Sequence, residues 1–306
     1  MKYVFYYIYN TKTKRMRITS FTLLLMICVA SLHAQKVKTT LTQTWRGTAW
    51  QDTLQEIYTY DNRGLLTTKT EQRWNPTTAS WVNSRIEVDR YNDDSTMLEQ
   101  LGQTWDTIRQ AWQTHDRLTL SYSSPRVCSL SLRDIWVNGD WQNESQFPHT
   151  YDKRGNPDKT LWLKWKPATG TWVNYWQGIY RFNRYKQLMS NVTQLWDTVQ
   201  QTWTKERQTT SRFSYKSGSR MKQVNAIRIH NRWRNNGISV TTYDGKGHVT
   251  SLSAKDWVSE SKAWIEHWHM DYTNNADGSV SYRTSTRWPR TGGEPTSRLM
   301  VKYTYY

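Results

Sequence analysis

Trp50, Trp81, Trp112, Trp141, Trp172, Trp203, Trp233 and Trp264 recur every 29 to 31 residues. A second Trp precedes nearly every one (Trp45, Trp74, Trp105, Trp136, Trp165, Trp196, Trp257), and Trp288 opens a ninth copy. In the seventh unit Ile229 stands in for the first Trp. Sixteen of the nineteen Trp thus occupy two repeat positions, which marks a repeat architecture. Ten residues beyond the second Trp stands another aromatic: Tyr60, Tyr91, Tyr122, Tyr151, Phe182, Phe213 and Tyr243. A polar turn and a mostly apolar exit position follow (Leu66, Met97, Cys128, Pro157, Leu188, Met221, Val249, Val280), and eight residues after each exit comes the next first Trp position. Even steps on a strand keep side chains on one face. The seventh unit fits when the turn is counted from Tyr215, which implies a two-residue insertion or bulge.

Between these positions Thr, Val, Tyr and Gln alternate without a helical period. Each unit therefore predicts two strands of about 9–11 residues and two tight turns. The fold class is all-β: nine units of about 31 residues giving about 18 strands in one antiparallel meander. Open sheets seldom exceed about ten strands without curling, so the expectation is a rolled or superhelical sheet with its aromatic face inward.

The chain opens with Lys12, Lys14, Arg15 and Arg17, an apolar run from Phe21 to Ala30, and the small-residue exit Ser31-Leu32-His33-Ala34. That order reads as a secretory signal peptide over 1–34, initiated at Met1 or Met16, followed by one continuous β-repeat domain over 35–306. No further apolar run is long enough for a spanning helix. Export places the protein in the periplasm, at the cell surface or outside the cell. Cys128 is the single cysteine left after cleavage, so no internal disulfide is expected.

The turns Tyr60-Asp61-Asn62-Arg63-Gly64, Tyr151-Asp152-Lys153-Arg154-Gly155 and Tyr243-Asp244-Gly245-Lys246-Gly247 put Asp, Asn and Gly where positive φ is needed. They resemble the YD repeats of Rhs-type proteins. With the flanking Trp pairs, the mature chain is similar to secreted bacterial proteins built from tandem Trp/Tyr repeats. The resemblance implies a surface-associated repeat protein and no catalytic residues.

Removing the five basic residues of the leader from 42 leaves 37 against 25 acidic ones, a formal +12. The cations read as dispersed along the chain, solubilising strand faces and suiting many weak contacts with a polyanion. Acidic residues stand singly or in turns. No nucleophile–base pairing, phosphate loop or metal-ligand spacing appears, so no catalytic, cofactor or metal residues are assigned. His267 and His269 read as surface residues facing away from Trp264, with Glu266 on the other side, and Cys128 reads as a small buried hydrophobe. A transmembrane barrel conflicts with Arg85, Glu87 and Asp89 in one strand phase and Lys69, Glu71 and Arg73 in the other. Trp162 falls out of phase with Trp165 and is expected to point outward. Trp162, Lys216 and Arg220 are the candidate ligand contacts. The functional expectation is a secreted, non-catalytic β-repeat scaffold, structural or adhesive. The alternatives are a carbohydrate- or polyanion-binding module and a cryptic glycan-active enzyme. The expected partner is an acidic polysaccharide or cell-surface glycan, not nucleic acid, and the oligomeric state stays open.

Overall fold

A computed structural model describes residues 35–306 apart from 205–208, 217–219, 230–231 and 290–292, so the leader expected over 1–34 lies outside the described residues. The first six strands are β1 (Val37–Trp45), β2 (Trp50–Tyr60), β3 (Leu66–Asn75), β4 (Ser80–Tyr91), β5 (Met97–Asp106) and β6 (Ala111–Ser124). There follow β7 (Val127–Val137), β8 (Asp140–Tyr151), β9 (Pro157–Lys166), β10 (Thr171–Phe182), β11 (Leu188–Asp197), β12 (Thr202–Trp203) and β13 (Thr209–Lys216). The last are β14 (Arg220–Ile229), β15 (Arg232–Tyr243), β16 (Val249–Val258), β17 (Ala263–Asn274), β18 (Val280–Arg287) and β19 (Ser297–Tyr305).

The strands run as an antiparallel meander, and β1 also pairs with β19, with Leu41 opposite Lys302 and Gln43 opposite Met300. Both β12 and β13 pair with β11 and share one place in the ring, which therefore has eighteen strand positions, as the repeat count predicts. The sheet is a closed barrel. This corrects the superhelical alternative, because twist and coil bring the two edges together and pairing them removes both.

Most of the hairpins carry a bulge at one of two fixed places. One extra residue falls three positions after the second Trp: Thr53, Ser84, His115, Glu144, Tyr175, Asn236 and His267. Another follows the turn exit, as at Thr67, Leu98 and Ser129. A bulge reverses strand parity. The Trp and the Tyr ten residues on consequently lie on opposite faces, which overturns the single aromatic face read from even spacing.

Curvature identifies the faces. Thr40, Asp89, Asp116, Ser131, Phe213 and Met270 are buried and share one face; of the buried strand side chains among the described residues, glycines aside, only Asp134 and Gln177 lie on the other. Side chains converge on a concave surface, so the first face is the lumen and the Trp pairs point outward. An eighteen-strand ring is too wide for side chains to fill, and barrels of that size hold water. Accordingly, only Leu65, Leu188, Phe213, Leu252 and Met270 are buried apolar residues among those described.

At one rim, five-residue turns begin with Asp or Asn. Asp61 Oδ1 accepts from the Leu65 amide at 2.8 Å, and Asp152 and Asp244 accept in the same way from Asn156 and His248 at 2.9 Å. Side-chain and amide bonds from Asn156 hold the Asp152 carboxyl below its ordinary range. The fourth turn residue has positive φ, 79° at Gly64 and 75° at Gly155, but also 59° at Lys186. A left-handed lysine is strained where glycine is not. Lys186→Gly should therefore raise stability by about 0.5–1 kcal/mol in denaturant unfolding, and a loss there would show that Lys186 makes contacts outweighing its strain. Inner tyrosines then tie the rim together, with Tyr60, Tyr122, Tyr151 and Tyr215 hydroxyls donating to the carbonyls of Val37, Met97, Cys128 and Leu188 at 2.6–3.0 Å. Tyr215, not Phe213, fills this role opposite Met221, which confirms the two-residue offset of the seventh unit.

Candidate functional site

The lumen wall from β2 to β8 carries an unbroken chain of ion pairs. Lys69 Nζ lies 3.4 Å from both Glu56 and Glu87. Arg85 then reaches Glu87 at 3.3 Å and Asp116 at 2.9 Å. Arg133 continues to Asp116 and to Glu144, each at 3.1 Å. The Arg85–Asp116 link passes over β5 at Gly102, where an added Cβ would stand 2.3 Å from Asp116 Oδ1 and 2.5 Å from Arg85 Nη2. Burial raises the Asp116 carboxyl, but Arg85, His115 and Arg133 more than offset it and hold it below its ordinary range. Burial pushes Asp89 above that range although Gln100 and Tyr91 bond to it. With Glu56, Glu87, Asp116 and Glu144 each facing a cation, this belt braces the wall.

Next to it, β8 to β10 present an aromatic wall. Trp162 has ring centroids 5.5 Å from Phe147, 4.6 Å from Tyr175 and 6.0 Å from Trp176. Lys164 Nζ stands 3.9 Å over the Tyr175 ring. Trp162 therefore points into the lumen and not outward as its phase suggested; the bulge at Tyr175 also turns Trp176 inward, away from Trp172. Close by, His149 bridges Ser131 at 3.2 Å and Thr160 at 3.1 Å, and burial lowers its pKa.

Outside, seven Trp pairs meet edge to face with centroids 4.9–5.4 Å apart, ringing the rim opposite the Asp turns. Arg117 lies 4.4 Å over Trp141 and pairs with the buried Asp134 at 2.7 Å. Lys216 and Arg220 sit opposite one another at the β13–β14 end, both exposed on this outer face. Arg212, Lys222 and Arg181 share the face nearby, Arg181 and Arg212 both opposite Ser190. Among the described residues none of these five pairs with a carboxylate.

The cations are not dispersed, contrary to the reading from the chain. Residues 159–243 hold 15 basic and 2 acidic side chains, whereas the rest of 35–306 holds 22 and 23. Strand pairing turns that stretch into one basic arc of the ring. A second correction concerns the histidines: the bulge at His267 leaves His269 on the Trp264 face with Glu266, 3.5 Å away, and with Asp271, 2.9 Å away. These contacts form a surface ion cluster, and no group of three metal-ligating residues occurs among the described residues. Cys128 is half-buried on the inner face, its thiol pushed up by burial.

The inner ion-pair chain went unnoticed in the sequence, although a signal existed: Arg85 and Asp116, opposite in charge, stand one repeat of 31 residues apart. No protein-family model matches the chain, and no curated protein does. Among solved structures it is similar to a porin-like protein from Bacteroides uniformis at 12% identity, covering 88% of this chain and 98% of that one with a TM-score of 0.41. A porin-like protein from Bacteroides vulgatus matches at 10% identity over 89% and 99% of the two chains, with a TM-score of 0.34. A DUF3836 family protein from Parabacteroides distasonis matches at 13% identity over 28% of this chain and 83% of that one, with a TM-score of 0.25. The closed ring stands on its own strand registers, and these distant likenesses add nothing to it.

Proposed function

We propose that this chain is an exported, non-catalytic scaffold: a water-filled barrel that serves a structural or adhesive role at the cell surface or outside the cell. The observation carrying the proposal is a closed ring whose two faces are both polar. Its lumen charges are largely satisfied by one another, so they brace the wall instead of activating a nucleophile. On the outer face Arg117, Asp134, Arg212, Lys222, Lys255 and Glu266 stand well inside the strands. Each Arg or Lys would cost about 2–4 kcal/mol at a bilayer midplane, so the outer wall suits water and not lipid.

Expression of the full chain in a Gram-negative host, followed by fractionation and N-terminal sequencing, tests this reading. The expected product begins at Gln35 and stays soluble without detergent. A product that begins at Met1 or Met16, or that leaves membranes only in detergent, would overturn it. The carbohydrate-binding alternative draws support from one place, the lumen wall of Phe147, Trp162 and Trp176, whose half-buried rings offer stacking surface beside Lys164.

A further inference from the structure

We infer that the basic arc on the outer wall, centred on β10 to β14, is a docking surface for a linear acidic polysaccharide; this rests on the reading of the chain as an exported barrel. Three observations converge on it. First, the whole positive excess of the domain falls in residues 159–243, while the remainder is balanced. Second, the excess faces outward where it is densest: Arg181, Arg212, Lys216 and Arg220 are exposed, Lys222 is partly so, and all five lack a carboxylate partner among the described residues. On strands β2 to β8, by contrast, every cation pairs with a carboxylate, as Arg117 does with Asp134 and Arg133 with Asp116 and Glu144. A folded protein that pairs its charges in one arc and leaves them unpaired in another presents a field that concentrates polyanions there. Third, the adjoining β10–β11 turn adds Arg184, Lys186 and an aromatic ring, Tyr185, which is 66% exposed and has the Arg184 guanidinium 4.6 Å from its centroid.

Geometry favours an extended ligand over a compact one. Arg181 on β10 and Arg212 on β13 flank Ser190 of β11, so they lie two strands apart, roughly 10 Å at the usual interstrand spacing. The Lys216–Arg220 pair and Lys222 then extend the row toward the turn rim. Cations laid out in this way on a rigid convex wall meet successive charges of a chain, while the exposed Tyr185 ring can stack on a sugar face. Arg181, Arg212, Lys216 and Arg220 stand exposed to solvent, so the contact is multipoint and steeply salt-dependent, since charges beyond about 10 Å are screened at ~0.1 M salt.

The test uses the mature protein and its binding to polygalacturonate, dextran sulfate and neutral dextran, with double-stranded DNA and phosphatidylglycerol vesicles as further arms. One variant combines Arg212→Thr, Lys216→Thr, Arg220→Thr and Lys222→Thr. A control removes four cations elsewhere, at Arg46, Arg109, Arg154 and Arg298, with the same change in net charge. The expected result is binding to both acidic polysaccharides and not to dextran, with at least about tenfold weaker affinity in the arc variant and under about threefold in the control. Equal losses in the two variants would overturn the proposal, because net charge alone would then account for binding. Equal binding of dextran, or tighter binding of DNA or vesicles than of either polysaccharide, would overturn it as well. If the fourfold variant loses its native unfolding midpoint, Lys216→Glu with Arg220→Glu at two exposed positions carries the same comparison. Fractionation reports on export independently, so failure of binding in a correctly exported, soluble barrel counts against this inference alone.

Discussion

Replacing Trp162 by alanine should lower unfolding stability by about 3 kcal/mol, whereas the same change at Trp136 should cost about 1 kcal/mol. Trp162 is wedged on the lumen wall between Phe147, Tyr175 and Trp176, so its removal strips three aromatic contacts and bares their apolar faces to lumen water. Trp136 is 39% exposed at the outer rim and leans edge-on against one partner, Trp141, at 5.0 Å. Cross-strand aromatic pairs of that kind contribute roughly 0.2–1 kcal/mol relative to an Ala–Ala pair. Urea unfolding of the two variants decides the matter. A larger loss at Trp136 would mean that the outer Trp ring, not the lumen wall, is the better packed surface, and would reverse the assignment of faces.

The second large effect is expected at Gly102. Alanine for glycine within a strand ordinarily helps, by roughly 0.5–1 kcal/mol, because glycine loses more freedom on folding and packs nothing. Gly102 has no left-handed φ, so the backbone would accept alanine. Yet its Cβ would lie 2.3 Å from Asp116 Oδ1, and the bridge to Arg85 would have to open. Both groups are largely shielded, with side-chain exposures of 13% for Asp116 and 30% for Arg85, so mispairing them is costly. Gly102→Ala should therefore destabilise by about 2 kcal/mol, less than a fully buried pair would because water reaches the lumen. In a background of Arg85→Gln with Asp116→Asn the same substitution should cost much less, since there is no charged bridge left to break. A neutral or stabilising Gly102→Ala in the native background would show that the ion-pair chain does not span β5.

Much of the architecture is readable from local spacing. The Trp-to-Trp steps announce hairpins, and Trp74 does pair with Trp81 and Trp105 with Trp112. Asp and Asn at turn starts announce their own amide bonds. Positive φ persists even where the Gly is missing, as at Ser95 and Lys186, because the five-residue turn length demands it. Of the candidate contacts, Lys216 and Arg220 lie exposed on the outer wall, while Trp162 does not. Its misplacement has one cause. Trp162 does lie in the phase opposite to Trp165, with no residue inserted between them on β9, but the closed ring puts the Trp pairs on its convex side, so the opposite phase faces the lumen.

What the chain by itself determined about this protein is therefore the period, the number of strands, the turns and the pairing of each Trp with its neighbour. All of these are set by interactions within one repeat. Tertiary structure decided three further things. Strand β19 meets β1, an event 265 residues apart for Thr39 and Thr304 that rests on accumulated twist and not on any local signal. Bulges three residues after the second Trp decide which aromatics of a strand look into the lumen. Winding the chain into a ring also brings cations from consecutive repeats side by side, on β10, β13 and β14, so that Arg181, Arg212, Lys216, Arg220 and Lys222 share one outer surface.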